Sequence, residues 1–159
     1  MIRHKKTFES WLPALFDGEF KWDFLLPAWS GTKIQPMDLD AIIERRNHFL
    51  IFETKKPGKG IDVGQRITLT NLWRNGRSTI IFLSGKQPEE ITGYCMYGEW
   101  EKDKNADIGS RDLTSADAYD VIFLVRKWFC WASGDDVPDR EDWDRELWLW
   151  EYNGGKHAG

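Results

Sequence analysis

The chain has 159 residues and a net charge of −4, with 41% of its residues hydrophobic and 30% charged. These values are typical of one globular domain that folds without disulfides or a structural metal, and we predict a single domain over residues 1–159. No segment approaches the roughly 20 apolar residues of a membrane span, and the first ten residues lack the apolar run of a signal peptide.

Helix-like and strand-like segments alternate in the first half of the chain. Apolar residues at helical spacing predict an amphipathic helix over residues 7–18, which begins at Thr7 or at Ser10. Leu39–Glu44 and His48–Thr54 are rich in isoleucine, leucine and phenylalanine, and this composition predicts two strands.

The pattern continues with a helix and a third strand. Asp62 can cap a helix that runs to about Arg74, where Asn75-Gly76 is a natural stop. Ser78–Leu83 is apolar over most of its length and predicts a buried strand.

Elements in the second half are less regular. Residues 91–100 predict another strand or a hairpin arm, and residues 102–111 predict a polar loop. A long helix is expected from Thr114 or Ser115 to about Ala132, largely buried because it is apolar nearly all round. An acidic, tryptophan-rich tail follows. The order of elements predicts an α/β domain, a mixed central sheet flanked by helices.

Two residue types leave alternatives open. Cys95 and Cys130 have no metal-type spacing, which indicates reduced side chains and a cytoplasmic protein. The ten tryptophans are explained either by packing or by base stacking and a partner interface.

The segment over residues 36–56 carries the clearest chemical signal. If the two strands form a hairpin that turns at Arg46-Asn47, Asp40 faces Glu53 and Asp38 faces Lys55. Side chains two apart on a strand share a face, so these four side chains are expected to cluster at one end of the hairpin.

Such a cluster of carboxylates suits a divalent cation. Gathering charged groups against a sheet is costly unless they are paired, and Mg²⁺ prefers carboxylate oxygens together with waters and phosphate. Glu53 is then a ligand, the Thr54 main-chain carbonyl can add another, and Lys55 points to the same side to orient water or stabilise charge on a phosphate. The alternative is a surface ion pair between Glu53 and Lys55.

This pattern resembles a known superfamily. Asp40, then Glu53-Thr54-Lys55, then Gln65 at a helix start resemble the D…E-x-K…Q signature of the PD-(D/E)XK nucleases, particularly the small VRR-NUC and Holliday-junction-resolvase-like branch often found in phages. Residues 36–83 carry the resemblance.

The resemblance implies a fold and roles for these residues. It implies a restriction-endonuclease-like fold in which Asp40 and Glu53 bind Mg²⁺ or Mn²⁺, Lys55 supports the nucleophile, and Gln65 positions the substrate or the lysine. Asp38 is the alternative acid to Asp40. Many members also carry an acid on the first helix, for which Glu9 is the candidate, although a solvated glutamate explains it as well.

The function predicted on this basis is a metal-dependent endonuclease that hydrolyses DNA, with branched, nicked, single-stranded and duplex DNA all open as the substrate. The catalytic core covers residues 36–83, and residues 114–159 form the C-terminal helix and the acidic tail. The resemblance further implies a cytoplasmic protein of a bacterium or a phage-infected host cell, and a homodimer as in resolvase-like members. RNA as substrate, and a non-catalytic nucleic-acid- or protein-binding module on the same fold, are the alternatives.

A stretch rich in basic residues follows the proposed site. Between Lys55 and Arg77 there are six basic residues and one acid, whereas residues 135–151 hold eight acids and two arginines. We predict that the basic stretch contacts the DNA backbone. Its predicted DNA-contacting members are Lys56, Lys59, Arg66, Arg74 and Arg77. A solvated charged surface is the alternative, and the absence of a phosphate-binding P-loop motif argues against a nucleotide cofactor.

Overall fold

The structure is a computed structural model that describes residues 36–152 together with residues 27, 28 and 32. The chain divides into two compact units, Met1–Asp38 and Leu39–Gly159. In the first unit, residues 36–38 have no regular secondary structure. The helix predicted over residues 7–18, and Glu9 with it, lie outside the described residues. The assignment of one domain to residues 1–159 stays a prediction.

The second unit is built on a mixed sheet, and the α/β class predicted from the sequence is confirmed. Within the described residues the sheet has five strands in the order β1-β2-β3-β4-β5. The β2–β3 pair is parallel and the other three pairs are antiparallel. The strands are β1 (Ala41–Arg45), β2 (His48–Lys55), β3 (Ser78–Ser84), β4 (Gly93–Tyr97) and β5 (Thr114–Ser115).

The β1–β2 hairpin has the predicted turn and register. Arg45 lies opposite His48 and Ala41 lies opposite Phe52. The turn residues Arg46 and Asn47 have φ values of 50° and 64°, as a two-residue turn with both central residues in the left-handed region requires. Asparagine tolerates this conformation better than most residues, which explains why the chain folds back here.

Helix α1 (Val63–Asn75) connects the parallel strands β2 and β3. Asp62 caps it as predicted, because its Oδ1 accepts a hydrogen bond from the Gln65 amide at 2.8 Å. Leu69 and Trp73 are fully buried, and the Trp73 indole donates to the Gly98 carbonyl at 2.9 Å. The helix therefore returns the chain along the sheet and places its first turn near the end of β2.

Helix α2 (Ala118–Ser133) covers the opposite face of the sheet from α1. Leu50 and Ile81 pack with Trp128 and Ala132 of this helix in one buried cluster. Leu50 is an even-numbered residue of β2, so the odd-numbered residues point to the α1 face.

Helix α2 begins later than the sequence predicted. Thr114 and Ser115 had both been suitable caps, but they pair with β4 as a short strand, and Asp117 caps the helix with Asp120 in a reciprocal capping box. The tail that the sequence left unassigned contains helix α3 (Arg140–Tyr152). In the part of the chain that is described, every helix is too short or too polar to cross a membrane.

Candidate active site

Glu53 is a buried carboxylate near the end of β2. Its exposed fraction is 3%, and its odd position directs the side chain to the α1 face. Its Oε1 accepts hydrogen bonds from the Lys55 Nζ and from the Gln65 Nε2, each at 2.7 Å. Two donors thus converge on one carboxylate oxygen, which offsets part of the cost of burying the charge.

Gln65 completes a closed triangle of hydrogen bonds. Its Oε1 accepts from the Lys55 Nζ at 2.8 Å while its amide nitrogen donates to Glu53. The cap at Asp62 fixes the first turn of α1 and therefore the place of Gln65. The structure thus brings together three of the predicted catalytic residues, Glu53, Lys55 and Gln65.

The second carboxylate oxygen of Glu53 differs from the first. Glu53 Oε2 is buried and has no hydrogen-bond partner within the described residues. A buried oxygen left unpaired costs free energy and in a native protein calls for a water or an ion. An ion with a preference for carboxylate oxygen fits this position.

Asp40 lies just before β1, where continuing the hairpin register by one residue places it opposite Glu53. It is exposed, and its Oδ2 accepts hydrogen bonds from the Thr54 amide at 2.6 Å and the Thr54 hydroxyl at 2.7 Å. Both contacts described for Asp40 use the same oxygen, which leaves Oδ1 available as a ligand.

The Thr54 main chain faces the same side as Asp40. Odd residues of β2 bond to β3, as the contacts of Phe49 and Lys55 with Arg77 and Gly85 indicate. The amide and the carbonyl of one strand residue point to the same side, so the Thr54 carbonyl points toward the β1 side with its amide. The alternative acid, Asp38, is exposed and belongs to the other compact unit.

Among the described residues, no three histidine, cysteine, aspartate or glutamate side chains are grouped so that they could hold a metal ion. The expected cluster of Asp38, Asp40 and Glu53 is therefore not such a group, and the ligand set that stays a prediction has two carboxylates, Asp40 and Glu53, and the Thr54 carbonyl. Mg²⁺ is commonly held by one or two carboxylates and takes its other ligands from water and substrate phosphate. Glu53 Oε2 and Asp40 Oδ1 therefore fit such an ion by their chemistry.

The predicted DNA-contacting residues fall into two groups. Lys56, Lys59 and Arg66 line a cavity of about 460 Å³ that Lys55 also lines. By contrast, Arg74 lies at the other end of α1, where it donates to the carbonyls of Lys104, Asn105 and Ala106 and to Asp107. Arg77 is exposed just before β3, whereas Lys55 pairs with the last residue of that strand.

One residue that the sequence interpretation missed also lines this cavity. Arg111 binds both carboxylate oxygens of Glu101, at 2.9 and 2.5 Å, and its guanidinium lies 4.3 Å from the ring centre of Tyr97. Burial raises the pKa of Tyr97 and of the Cys95 thiol, so both stay neutral near pH 7. Arg111 lies in the segment predicted as a polar loop, and no local pattern indicates its role.

The described tryptophans divide between the two interpretations offered for them. Trp73 and Trp128 are fully buried and pack in the interior. Trp100 is 44% exposed, and its ring centre lies 5.0 Å from that of Trp131. The packing role is therefore established for two tryptophans, while base stacking or partner binding by exposed ones stays a prediction.

Comparison with known proteins identifies no relative. The chain matches no protein-family model, no curated protein and no solved structure. Its function is therefore inferred from the residues and geometry described above.

Proposed function

We propose that this protein is a metal-dependent endonuclease with a restriction-endonuclease-like fold, and that it hydrolyses phosphodiester bonds in DNA. The observation that supports the proposal is Glu53, a carboxylate 3% exposed whose Oε1 is bound by Lys55 and Gln65 and whose Oε2 has no partner among the described residues. An ion pair with Lys55 explains Oε1 but not the burial of Oε2. A divalent cation would give Oε2 a partner.

The residues that would hold the ion are Asp40, Glu53 and the carbonyl of Thr54. Bound Mg²⁺ or Mn²⁺ supplies Lewis-acid chemistry, which polarises the scissile phosphate and makes water more acidic. Lys55 and Gln65 both donate to Glu53 Oε1 and so hold the carboxylate in one orientation. Thr54 in turn fixes the orientation of the Asp40 carboxylate through two short hydrogen bonds.

Lys55 is the residue best placed to act on the substrate. A lysine ammonium has three N–H donors, and two of them are used by Glu53 and Gln65. No described residue accepts from the third, which can donate to a phosphate oxygen or to the attacking water, and Lys55 lines the cavity in which these groups would lie. The triangle of contacts holds the ammonium in place before the substrate arrives, as electrostatic catalysis requires.

Phosphate contacts are proposed for the three cations that share the cavity with Lys55. Lys56, Lys59 and Arg66 are all exposed. Backbone neutralisation by lysine and arginine supplies most non-specific affinity for DNA. The guanidinium of Arg74 is bound by main-chain carbonyls, and Arg77 lies at the other end of β3, so DNA contacts by these two require a duplex that extends along the domain.

The decisive experiment is a cleavage panel on the full chain. Supercoiled plasmid, single-stranded DNA, branched DNA and RNA are incubated with Mg²⁺, with Mn²⁺ and with EDTA, and products are resolved on denaturing gels. We expect the wild-type chain to cleave DNA with either ion and not in EDTA. The Lys55→Ala variant should not cleave DNA with either ion. Cleavage that is confined to RNA would change the substrate class. The absence of cleavage in every lane would instead favour a non-catalytic binding module. Cytoplasmic location and a homodimer are separate predictions that this panel does not test.

A further inference from the structure

A cavity of about 460 Å³ opens beside Lys55, at the ends of the parallel strands β2 and β3. Strand residues form one wall, the loop between β2 and α1 forms another, and residues 107–111 form a third. The volume lies within the range of roughly 300–1,000 Å³ that is typical of small-molecule sites. The cavity is thus large enough for one molecule of nucleotide size.

The floor of the cavity is apolar. Phe82, Cys95 and Ile108 are each at most 6% exposed, and Ile61 and Leu113 extend this lining. Burial keeps the Cys95 thiol protonated by raising its pKa, so no charge is added to the floor. Moving an aromatic base from water onto such a surface is favourable in free energy.

The rim of the cavity is cationic. Lys56, Lys59 and Arg66 are exposed, and they stand around an opening that Lys55 also borders. Arg111 and Asp107 also line it, but Glu101 binds the first and Arg74 binds the second. The three exposed cations therefore suit an anionic group above an apolar floor, which is the charge distribution of a nucleotide.

An intact duplex does not fit this shape. The major groove of B-DNA alone is about 12 Å wide, so a double helix can lie only across the mouth of the cavity. A single nucleotide turned out of the stack fits inside, and unstacking costs least where the base is already unpaired. The cavity therefore discriminates by the pairing state of the DNA.

We propose that the cavity binds one unpaired nucleotide of the substrate beside Lys55, and that the enzyme cleaves DNA with an unpaired nucleotide next to the scissile bond in preference to intact duplex. The inference rests on the proposed nuclease function and adds the substrate class. It assigns Lys56, Lys59 and Arg66 to the phosphates and the apolar floor to the base.

The test uses two variants that fill the cavity from different sides. A Cβ at Gly60 would meet no heavy atom within 4 Å, and Ser110 is an exposed residue of the opposite loop, so Gly60→Leu and Ser110→Leu narrow the opening. Thr68→Leu is the matched control, because Thr68 is exposed on α1 and does not belong to the described lining. Circular dichroism tests whether each variant is folded. If a filled variant is unfolded, the smaller substitution Gly60→Ala is used in its place.

The first readout is kcat/KM on two duplexes that differ only by one unpaired nucleotide. For the wild-type chain and Thr68→Leu we expect a preference of about tenfold or more for the unpaired substrate, comparable to the contribution of one bound base. The ratio should approach one in both filled variants. Equal cleavage of the two duplexes by the wild type, or a ratio unchanged by filling, would overturn the inference and leave the nuclease function standing.

The second readout does not depend on cleavage. A DNA strand carries 2-aminopurine at the unpaired position, and its fluorescence is measured with the full chain in EDTA. Unstacking should raise the fluorescence, since the described lining contains no tryptophan or tyrosine that would quench it. The rise should disappear in the filled variants. If neither the wild type nor any variant cleaves DNA, the nuclease proposal fails. If the fluorescence rise persists in the filled variants, the cavity is not the site that binds the unpaired nucleotide.

Discussion

At the scale of single residues, the feature with the clearest chemical consequence is the Glu53 carboxylate, of which only Oε1 has hydrogen-bond partners among the described residues. Glu53 is held by a lysine two positions away on the same strand and by a glutamine from the next helix. Removing one member of this group leaves each of the other two with one hydrogen bond fewer. The substitution Glu53→Gln replaces one carboxylate oxygen by an amide nitrogen and keeps the size of the side chain. It therefore distinguishes a loss of ion binding from a loss of packing.

The first prediction concerns Glu53→Gln and metal-linked stability. Because an ion that binds only the folded chain stabilises it, we expect Mn²⁺ at about 100 times its Kd to raise the Tm of the wild type by roughly 5–10 °C. Glu53→Gln should lose most of this rise. Glu89→Gln, at an exposed position of the short 3₁₀ helix Pro88–Glu90, is the control. The same rise in wild type and Glu53→Gln, measured by thermal unfolding, would remove Glu53 from the ligand set.

The second prediction concerns Gln65→Ala. The Lys55–Glu53 contact survives in this variant, but both groups lose their hydrogen bond to the amide. We expect a fall in kcat of about 10–100-fold, as for other residues that orient a metal ligand, and a larger loss in Lys55→Ala. Steady-state kinetics on the best substrate of the cleavage panel measure both. The control is Gln87→Ala, which changes an exposed glutamine bound to Glu90 and should keep the wild-type kcat. If Gln65→Ala had the same kcat as this control, Gln65 would have no positioning role.

At the scale of elements, the features predicted correctly from the sequence are those determined by contacts between residues close together in the chain. The hairpin register follows from the turn at Arg46-Asn47, and the start of α1 follows from the cap at Asp62. Both rely on contacts between residues no more than a few positions apart. The start of α2 was predicted wrongly because Thr114 and Ser115 are good caps, yet they are used for pairing with β4, a contact that no local pattern reveals.

The segment that completes the cavity illustrates the same limit. Residues 102–111 carry a polar loop sequence, but Arg111 fixes this segment by binding Glu101, which precedes it, and by stacking on Tyr97. Arg74 holds the middle of this segment through three main-chain carbonyls about 30 positions away in the chain. Their distance in sequence is the reason that the cavity could not be predicted.

The third prediction is a pH dependence that belongs to this loop. Burial by itself raises the pKa of Glu101, but hydrogen bonds from Arg111 and from the Gly98 amide outweigh it, so that the pKa lies below its ordinary value. A lowered pKa contributes stability above the ordinary range near pH 4, and the contribution is lost as pH falls through the lowered pKa. Wild type should therefore unfold at higher urea than Glu101→Gln at pH 7, with a difference that shrinks below about pH 4.

The measurement is urea unfolding of the wild type, Glu101→Gln and the exposed control Glu89→Gln over a pH series. Other carboxylates titrate alike in all three chains, so the difference between curves isolates Glu101. A difference that is constant with pH would show that Arg111 binds the amide as well as the carboxylate.

At the scale of the whole molecule, the charges are divided between regions. The chain is acidic overall, with a net charge of −4, yet the cations beside Lys55 stand at one end of the sheet. Helix α3 carries acids in its first turn and along its length. A local cationic surface on an acidic protein attracts a polyanion to one place and repels it elsewhere.

The fourth prediction follows from this division. If Lys56, Lys59 and Arg66 each neutralise one phosphate, the plot of log affinity for DNA against log salt should have a slope of about −2.7. Replacing any one of the three by alanine should reduce the magnitude of the slope by about 0.9. Fluorescence anisotropy in EDTA measures it, with Lys127→Ala, an exposed lysine of α2, as control. A slope that none of the three substitutions changes would place the DNA on another surface.

The connection between β2 and α1 has a consequence for how this molecule can diversify. Residues 56–60 are exposed, while the strand end before them is held by the Gly85 amide and the helix start after them by Asp62. Both anchors are independent of what lies between, so we expect this short segment to tolerate insertion and exchange while Glu53, Lys55 and Gln65 stay in place. A library of transplanted segments should therefore yield enzymes with altered DNA preference and an unchanged metal requirement.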